Sequence, residues 1–211
     1  MTGLRRHTLV WLSQAPGAET EDDHARAARW HEAGRPFVVT RRRSDAREVG
    51  LGFCTTDPAH PELRPRRVAA RTDPGDIVRH ARPPALAEIA RCPAAMAETN
   101  SFSRLIAAAA AVGVTINVYG SWMWQALTGE RHVHAASDLD VVIDVADLDA
   151  ALRTAAFLAR AEQDLAFRID GELSFAGVGE VQWRELLQDR DEILLKSVDT
   201  LKLVPRSQIG R

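Results

Sequence analysis

Lysine is nearly missing from this 211-residue chain. Of its 27 basic residues only Lys196 and Lys202 are lysines, so neither reads as generic surface decoration. Cysteine is as scarce. Cys54 and Cys92 are the only two; they build no disulfide framework, show no metal-ligand spacing, and read as incidental reduced thiols. No apolar run approaches the roughly 20 residues that span a bilayer. The longest, "LIAAAAAVGVTINV" from Leu105, is too short and too rich in alanine, and reads as a buried helix running into a buried strand. Near the N-terminus "LVWL" is too short for a signal-peptide core, and an acidic "ETEDD" comes after it. No membrane partner is expected, and a cytoplasmic location is. The net charge of −2 gives no global argument for a nucleic-acid partner. There is no internal repeat and no low-complexity tract.

What is present is ordinary in amount: 45% apolar and 27% charged residues, the balance of a soluble globular protein. The distribution of charge says more. Residues 1–80 carry a net +3 and residues 81–211 a net −5. The basic excess includes Arg41, Arg42, Arg43 and Arg47, and then Arg64, Arg66 and Arg67. A solvated face is the default reading of such runs, and a surface for a polyanion the second. Strands are expected at "HTLVWL", "RPFVVTRR" and "EVGLGFCT", with a helix "DHARAARWHEAG" closing at Gly34. Thr55 to Pro84 is rich in proline, arginine and aspartate and predicts irregular connections around one or two short elements. A boundary near Pro83-Pro84 divides a small α+β domain, residues 1–82, from a second domain, residues 83–211.

The second domain begins with a helical stretch broken near Cys92-Pro93 and by a cap region at Asn100-Ser101. It continues as strand "VTINVYG", short helix "SWMWQALTG" closed by Gly129, strand "SDLDVVIDV", amphipathic helix "ADLDAALRTAAFLARAEQ", and strand "LAFRIDGELSF" with one wet face. "VQWRELLQ" is of undecided type, and "EILLKSV" and "TLKLV" read as late strands or helix ends. The order β-α-β-α-β with further β predicts an α/β (α+β) fold with a mixed sheet.

The chain holds "DLD" twice. Asp147-Leu148-Asp149 leads into a helix, where aspartates cap the first turn and suit the dipole. Asp138-Leu139-Asp140 leads into a strand, where residues two apart share a face and their carboxylates repel. Taken alone, a solvated strand end explains that pair. Upstream, however, Gly120-Ser121 stands where a strand turns into a helix, a corner whose backbone N–H groups and positive dipole end attract anions. By itself Gly-Ser is a common helix cap. Together the two features place a phosphate cradle beside an oxygen-ligand pair suited to Mg²⁺, the parts needed for nucleotidyl transfer with departure of pyrophosphate. A third carboxylate is expected from "FRIDGEL": Asp170 as metal ligand or base, with Glu172 the alternative and an exposed strand face the bland reading. Lys196 is a candidate phosphate contact or an edge lysine with its head in water. His132 and His134 suit loop or supporting roles, and Trp122, Trp124 and Leu127 the buried stripe of a short helix.

The core "VYGSWMWQALTG…SDLDVVID", supported by "RHTLVWL", "GRPFVVTRR", "RIDGELSF", "VQWREL" and "ILLKS", resembles the malonate decarboxylase holo-acyl-carrier-protein synthases. These are the phosphoribosyl-dephospho-CoA transferases, within the polymerase-β type of nucleotidyltransferases. The resemblance implies attack by a serine of the malonate decarboxylase acyl-carrier subunit on triphosphoribosyl-dephospho-CoA, giving a phosphodiester and pyrophosphate. It implies that Gly120 and Ser121 hold the triphosphate, Asp138 and Asp140 bind Mg²⁺, and Asp170 completes the metal site or acts as base. The arginine-rich first domain would then face the anionic precursor or an acidic carrier. Alternatives are a related enzyme with another acceptor, of the holo-citrate lyase synthase kind or using a small molecule, and a non-catalytic carrier-binding module.

Overall fold

The computed structural model describes residues 4–42, 47–57, 59–60 and 62–209. They form two compact units. The first is residues 1–83 with the short segments 127–132 and 198–200; the second is residues 84–126, 133–197 and 201–211.

In the first unit the chain forms β1 (Leu9–Leu12), β2 (Gly17–Ala18), α1 (Glu21–Glu32), β3 (Phe37–Val39), β4 (Val49–Thr55), β5 (Arg66–Thr72) and β6 (Ile77–Ala81). The strands make one antiparallel sheet in the order β2-β5-β4-β3-β1-β6. Helix α1 starts where the Thr20 hydroxyl accepts the Asp23 N–H at 3.1 Å, with three acidic residues in its first turn, both favourable at the positive end. It stops before Gly34, whose φ of 67° is the left-handed geometry that ends helices. Its buried Trp30 packs on Phe53, 5.0 Å between ring centres, and Phe53 packs edge-on against Phe37 at 5.3 Å.

The stretch from Thr55 to Pro84 holds more regular structure than its composition predicts. β5 is seven residues long and sits inside the sheet. Arg67, Ala69 and Arg71 alternate with buried Val68, Ala70 and Thr72, so part of the charge here marks the wet face of a strand. Of the arginine cluster at 41–43, Arg43 lies outside the described residues.

The second unit contains α2 (Leu86–Ile89), a 3-10 segment (Pro93–Glu98), α3 (Thr99–Ala111), β7 (Asn117–Val118), α4 (Gly120–Thr128), β8 (Leu139–Val145), α5 (Leu148–Glu162), β9 (Ile169–Phe175), β10 (Gly179–Gln182), α6 (Trp183–Leu186), β11 (Glu192–Lys196) and β12 (Leu201–Pro205). Its sheet runs β12-β11-β10-β9-β8-β7, with β8 and β9 parallel and every other pair antiparallel. The α+β class and mixed sheet expected from the element order are what the chain forms. α5 is the crossover between the parallel strands, and Asp147 caps it by accepting the Ala150 N–H at 2.7 Å.

Three local expectations need correction. Asn100 and Ser101 lie inside α3 and do not break it; the Ser101 hydroxyl instead accepts the Ala166 N–H at 3.2 Å, tying α3 to the approach to β9. The face of β9 expected to be wet is mostly buried: Glu172 and Ser174 are buried with the apolar residues, and Asp170 alone is partly exposed. Leu127 is 39% exposed, and it is Met123 that is buried beside Trp122 and Trp124. Phe102, Trp122 and Phe167 form an aromatic cluster with centres 5.1 to 6.1 Å apart. Complete burial of a phenylalanine such as Phe102 is worth about 2–3 kcal/mol.

Candidate active site

Buried Ile116 and Val118 bring the chain up through β7 to a corner at Tyr119. The Tyr119 N–H donates to the Asp140 carbonyl at 2.9 Å, the last rung joining β7 to β8. Gly120 comes next with φ of 68° and begins α4. Two independent constraints demand glycine here. The backbone is left-handed, which costs any L side chain about 1–2 kcal/mol, and a Cβ would overlap the Asp140 carboxylate, lying 2.7 Å from its Cγ. The glycine of the Gly-Ser corner and the second aspartate of Asp-x-Asp, twenty positions apart, are therefore in contact. Ser121, half-buried, is the next residue of the nine-residue helix α4. The first N–H groups of a helix have no partner within it, and the first residue of this one packs against the Asp140 carboxylate.

On β8 the side chains alternate, with Leu139, Val141, Ile143 and Val145 buried and Asp140 on the opposite face. Asp138 immediately precedes the strand. In the parallel register Asp140 stands directly opposite Asp170 on β9. Opposed carboxylates on neighbouring strands repel, so this edge favours a cation. Part of that charge is met by Arg168, whose guanidinium lies 3.5 Å from Asp138 with both side chains largely in water. Arg168 is a neighbour of Asp138 that the motifs do not announce. Its signal is that it precedes Asp170 by two, as Asp138 precedes Asp140, and a parallel register sets the two pairs side by side.

The structure also separates Asp170 from Glu172. Asp170 is partly exposed; its carboxylate accepts the Gln182 side-chain amide at 3.1 Å. Glu172 is 5% exposed and pairs with the Lys196 ammonium at 3.0 Å. A second buried carboxylate, Glu180, is the register partner of Lys196 across β10 and β11. Lys196 thus lies on the same sheet face as the aspartates but is engaged by glutamate. His132 is buried near Glu130, 3.9 Å away, in the segment that belongs to the first unit. The His134 N–H donates to the Ser137 hydroxyl.

Among the described residues no three His, Cys, Asp or Glu side chains converge on a point that could hold a metal ion by themselves. Mg²⁺ typically takes one or two carboxylates and completes its shell with substrate phosphate and water. Asp138 and Asp140, next to the first residue of α4, are the residues that could hold it.

Two family models cover the chain. The one described as phosphoribosyl-dephospho-CoA transferase MdcG N-terminal domain matches residues 5–83, and its C-terminal counterpart matches residues 85–207. Among curated relatives, a phosphoribosyl-dephospho-CoA transferase of Xanthomonas euvesicatoria pv. vesicatoria (strain 85-10) is 33% identical over 211 residues, covering 97% of this chain and 95% of that protein. One of the same name from Bradyrhizobium diazoefficiens (strain USDA 110) is 35% identical over 215 residues, covering 96% and 91%. No solved structure matches.

Proposed function

Because the chain belongs to the phosphoribosyl-dephospho-CoA transferase family, a family of transferase enzymes, we propose that it loads the malonate decarboxylase acyl-carrier subunit. In this reading a carrier serine hydroxyl attacks the ribose-linked phosphorus of triphosphoribosyl-dephospho-CoA. The new O–P bond forms, the bond to the outer two phosphates breaks, and pyrophosphate leaves. The observation that carries the reading is the packing of Gly120 against Asp140 with Asp170 in register beside it. It sets the first turn of α4 and the carboxylates of Asp140 and Asp170 on one corner of one sheet.

The roles derive from position. The N-terminal N–H groups of α4, with Gly120 admitting close approach and the Ser121 hydroxyl adding a donor, hold the triphosphate. Asp138 and Asp140 hold Mg²⁺, which when bound offsets the charge of the triphosphate and of the departing pyrophosphate. Asp170 supplies a third oxygen ligand or takes the proton of the attacking serine. Arg168, paired with Asp138 only through an exposed contact of little net worth, is free to turn to phosphate when the precursor arrives. Lys196 adds a positive charge from its place on Glu172.

The arginines of the first unit supply the precursor or carrier surface in this proposal. Several have internal partners, as Arg66 does with Asp23 and Arg71 with Glu48, whereas Arg41 and Arg67 are exposed. Reversal of charge at both is expected to raise the KM for carrier or precursor with kcat retained; unchanged kinetics would remove this surface from the account.

Incubation with apo-carrier, precursor and Mg²⁺ tests the function. The expected result is one added prosthetic group per carrier by intact mass and an equal amount of pyrophosphate. Modification of a citrate lyase carrier in preference to the malonate decarboxylase carrier would move the assignment to the other acceptor. Failure to modify either would leave a binding module.

A further inference from the structure

We infer that Gln182, with the Trp183-Arg184 pair behind it, is a positioning residue that holds the Asp170 carboxyl group in a single orientation. The inference rests on the role proposed for Asp170. The side-chain amide of Gln182 has two faces in use. Its oxygen accepts the Arg184 N–H at 2.5 Å and so caps α6. A backbone N–H can only donate, so the atom facing it must be Oε1. The atom facing Asp170 is then Nε2, a donor, 3.1 Å from Oδ1. The amide cannot flip without losing the cap and setting two oxygens against each other. Oδ1 of Asp170 is therefore the acceptor of this bond, which fixes the direction in which the carboxyl group is turned.

The backbone around Asp170 is gripped as firmly. Glu162 at the end of α5 accepts the Ile169 N–H at 2.6 Å, and Arg184 bonds both to that same carboxylate and to the Ile169 carbonyl at 3.2 Å. The Trp183 indole N–H donates to the Ile169 carbonyl, also at 3.2 Å. On the other side of Asp170, a Cβ at Gly171 would lie 2.8 Å from the Trp183 ring and 3.0 Å from Val141. The short "QWR" segment thus holds the residue before Asp170 by its peptide groups, the residue after it by contact, and Asp170 itself by its carboxylate. Glu172, by contrast, is buried on Lys196, so the grip of the "QWR" segment bears on Asp170.

A cap and a clamp respond differently to Gln182→Glu. The new carboxylate caps α6 as well as the amide does, yet it faces Asp170 with like charge. Four proteins decide the matter: wild type, Q182E, D170N and D170N/Q182E, each taken through thermal melting and, with carrier, precursor and Mg²⁺, through steady-state kinetics. Expected for Q182E is a Tm lowered by roughly 3 °C or more and a kcat reduced about tenfold or more with KM for the precursor little changed. In D170N/Q182E the donor and acceptor are exchanged, so the Tm recovers toward that of D170N. Its activity stays at the D170N level, because Gln182 acts only through Asp170. Wild-type Tm and kcat in Q182E, or a Tm loss that persists unchanged in the D170N background, would overturn the inference. If wild type itself transfers nothing, the proposed reaction falls while the four melting temperatures still decide whether the clamp exists.

Discussion

At the scale of single residues, the scarcity of lysine finds a use. Lys196 stands against Glu172 and across from Glu180, two carboxylates of which 5% and 3% are exposed. Removing one partner of a buried pair leaves a charge that water cannot reach. Lys196 is itself a quarter exposed, which softens the loss to about 1–3 kcal/mol. Lys196→Met should therefore lower the melting temperature, and adding Glu172→Gln should recover most of it, measured by calorimetry. A contribution of Lys196 to phosphate binding would appear separately, as a raised KM that the second substitution does not mend. The sequence marks Lys196 by rarity, and "IDGEL" offers two acids at equal spacing. What it does not carry is the partner choice: the register of β9 against β10 sets Gln182 opposite Glu172, and it is diagonal side-chain contacts that take Gln182 to Asp170 and Lys196 to Glu172. Those contacts join residues 12 to 24 positions apart, beyond any local pattern.

Secondary-structure elements separate the two "DLD" copies. Asp147 caps α5, whereas Asp138 and Asp140 lead β8 into register with β9. Asp147→Ala should cost about 1 kcal/mol of stability and leave transfer activity as it was. Asp138→Asn should do the reverse, abolishing transfer while leaving the melting temperature within a few degrees; equal effects of the two on activity would contradict the assignment. This contrast is legible in the residues C-terminal to each motif, a helical run in one case and a β-branched run in the other. So are α4 with its closing Gly129, whose φ is 72°, and the mixed sheet. Less is legible where burial overrides pattern. The alternation in β9 predicts a wet face, but Glu172 and Ser174 on it are buried and only Asp170 keeps partial exposure. The run from Thr55 to Pro84 predicts irregular connections around one or two short elements; it holds β5 and β6, and β5 keeps a full ladder to β4.

At the scale of the whole molecule, the chain does not divide once and for all at Pro83. It returns to the first unit for residues 127–132 and again for residues 198–200. The first return is fixed by Glu130, which accepts from Arg35 at 2.6 Å and from the Thr56 hydroxyl at 2.7 Å. Burial pushes the Glu130 carboxyl up, but the Thr56 and Arg35 hydrogen bonds, with the attraction of Arg35 and His132, outweigh it and hold it below its ordinary value near 4.5. A carboxyl lowered in the folded state contributes stability above its unfolded pKa, and loses it as pH falls through the folded one. Glu130→Gln should thus destabilise the protein at neutral pH, and the gap to wild type should close as the solution is acidified below the ordinary glutamate range. A gap independent of pH would mean that the carboxylate charge is not what holds the segment. The central claim is that Asp140, packed on Gly120, makes this corner a transfer site. Its most direct test is the intact mass of the malonate decarboxylase carrier after incubation with precursor, Mg²⁺ and either wild type or Asp140→Asn, the variant first shown to melt as a folded protein. The account predicts one prosthetic group added by wild type and none by the variant. An unmodified carrier with wild type, or a fully modified one with Asp140→Asn, would contradict it.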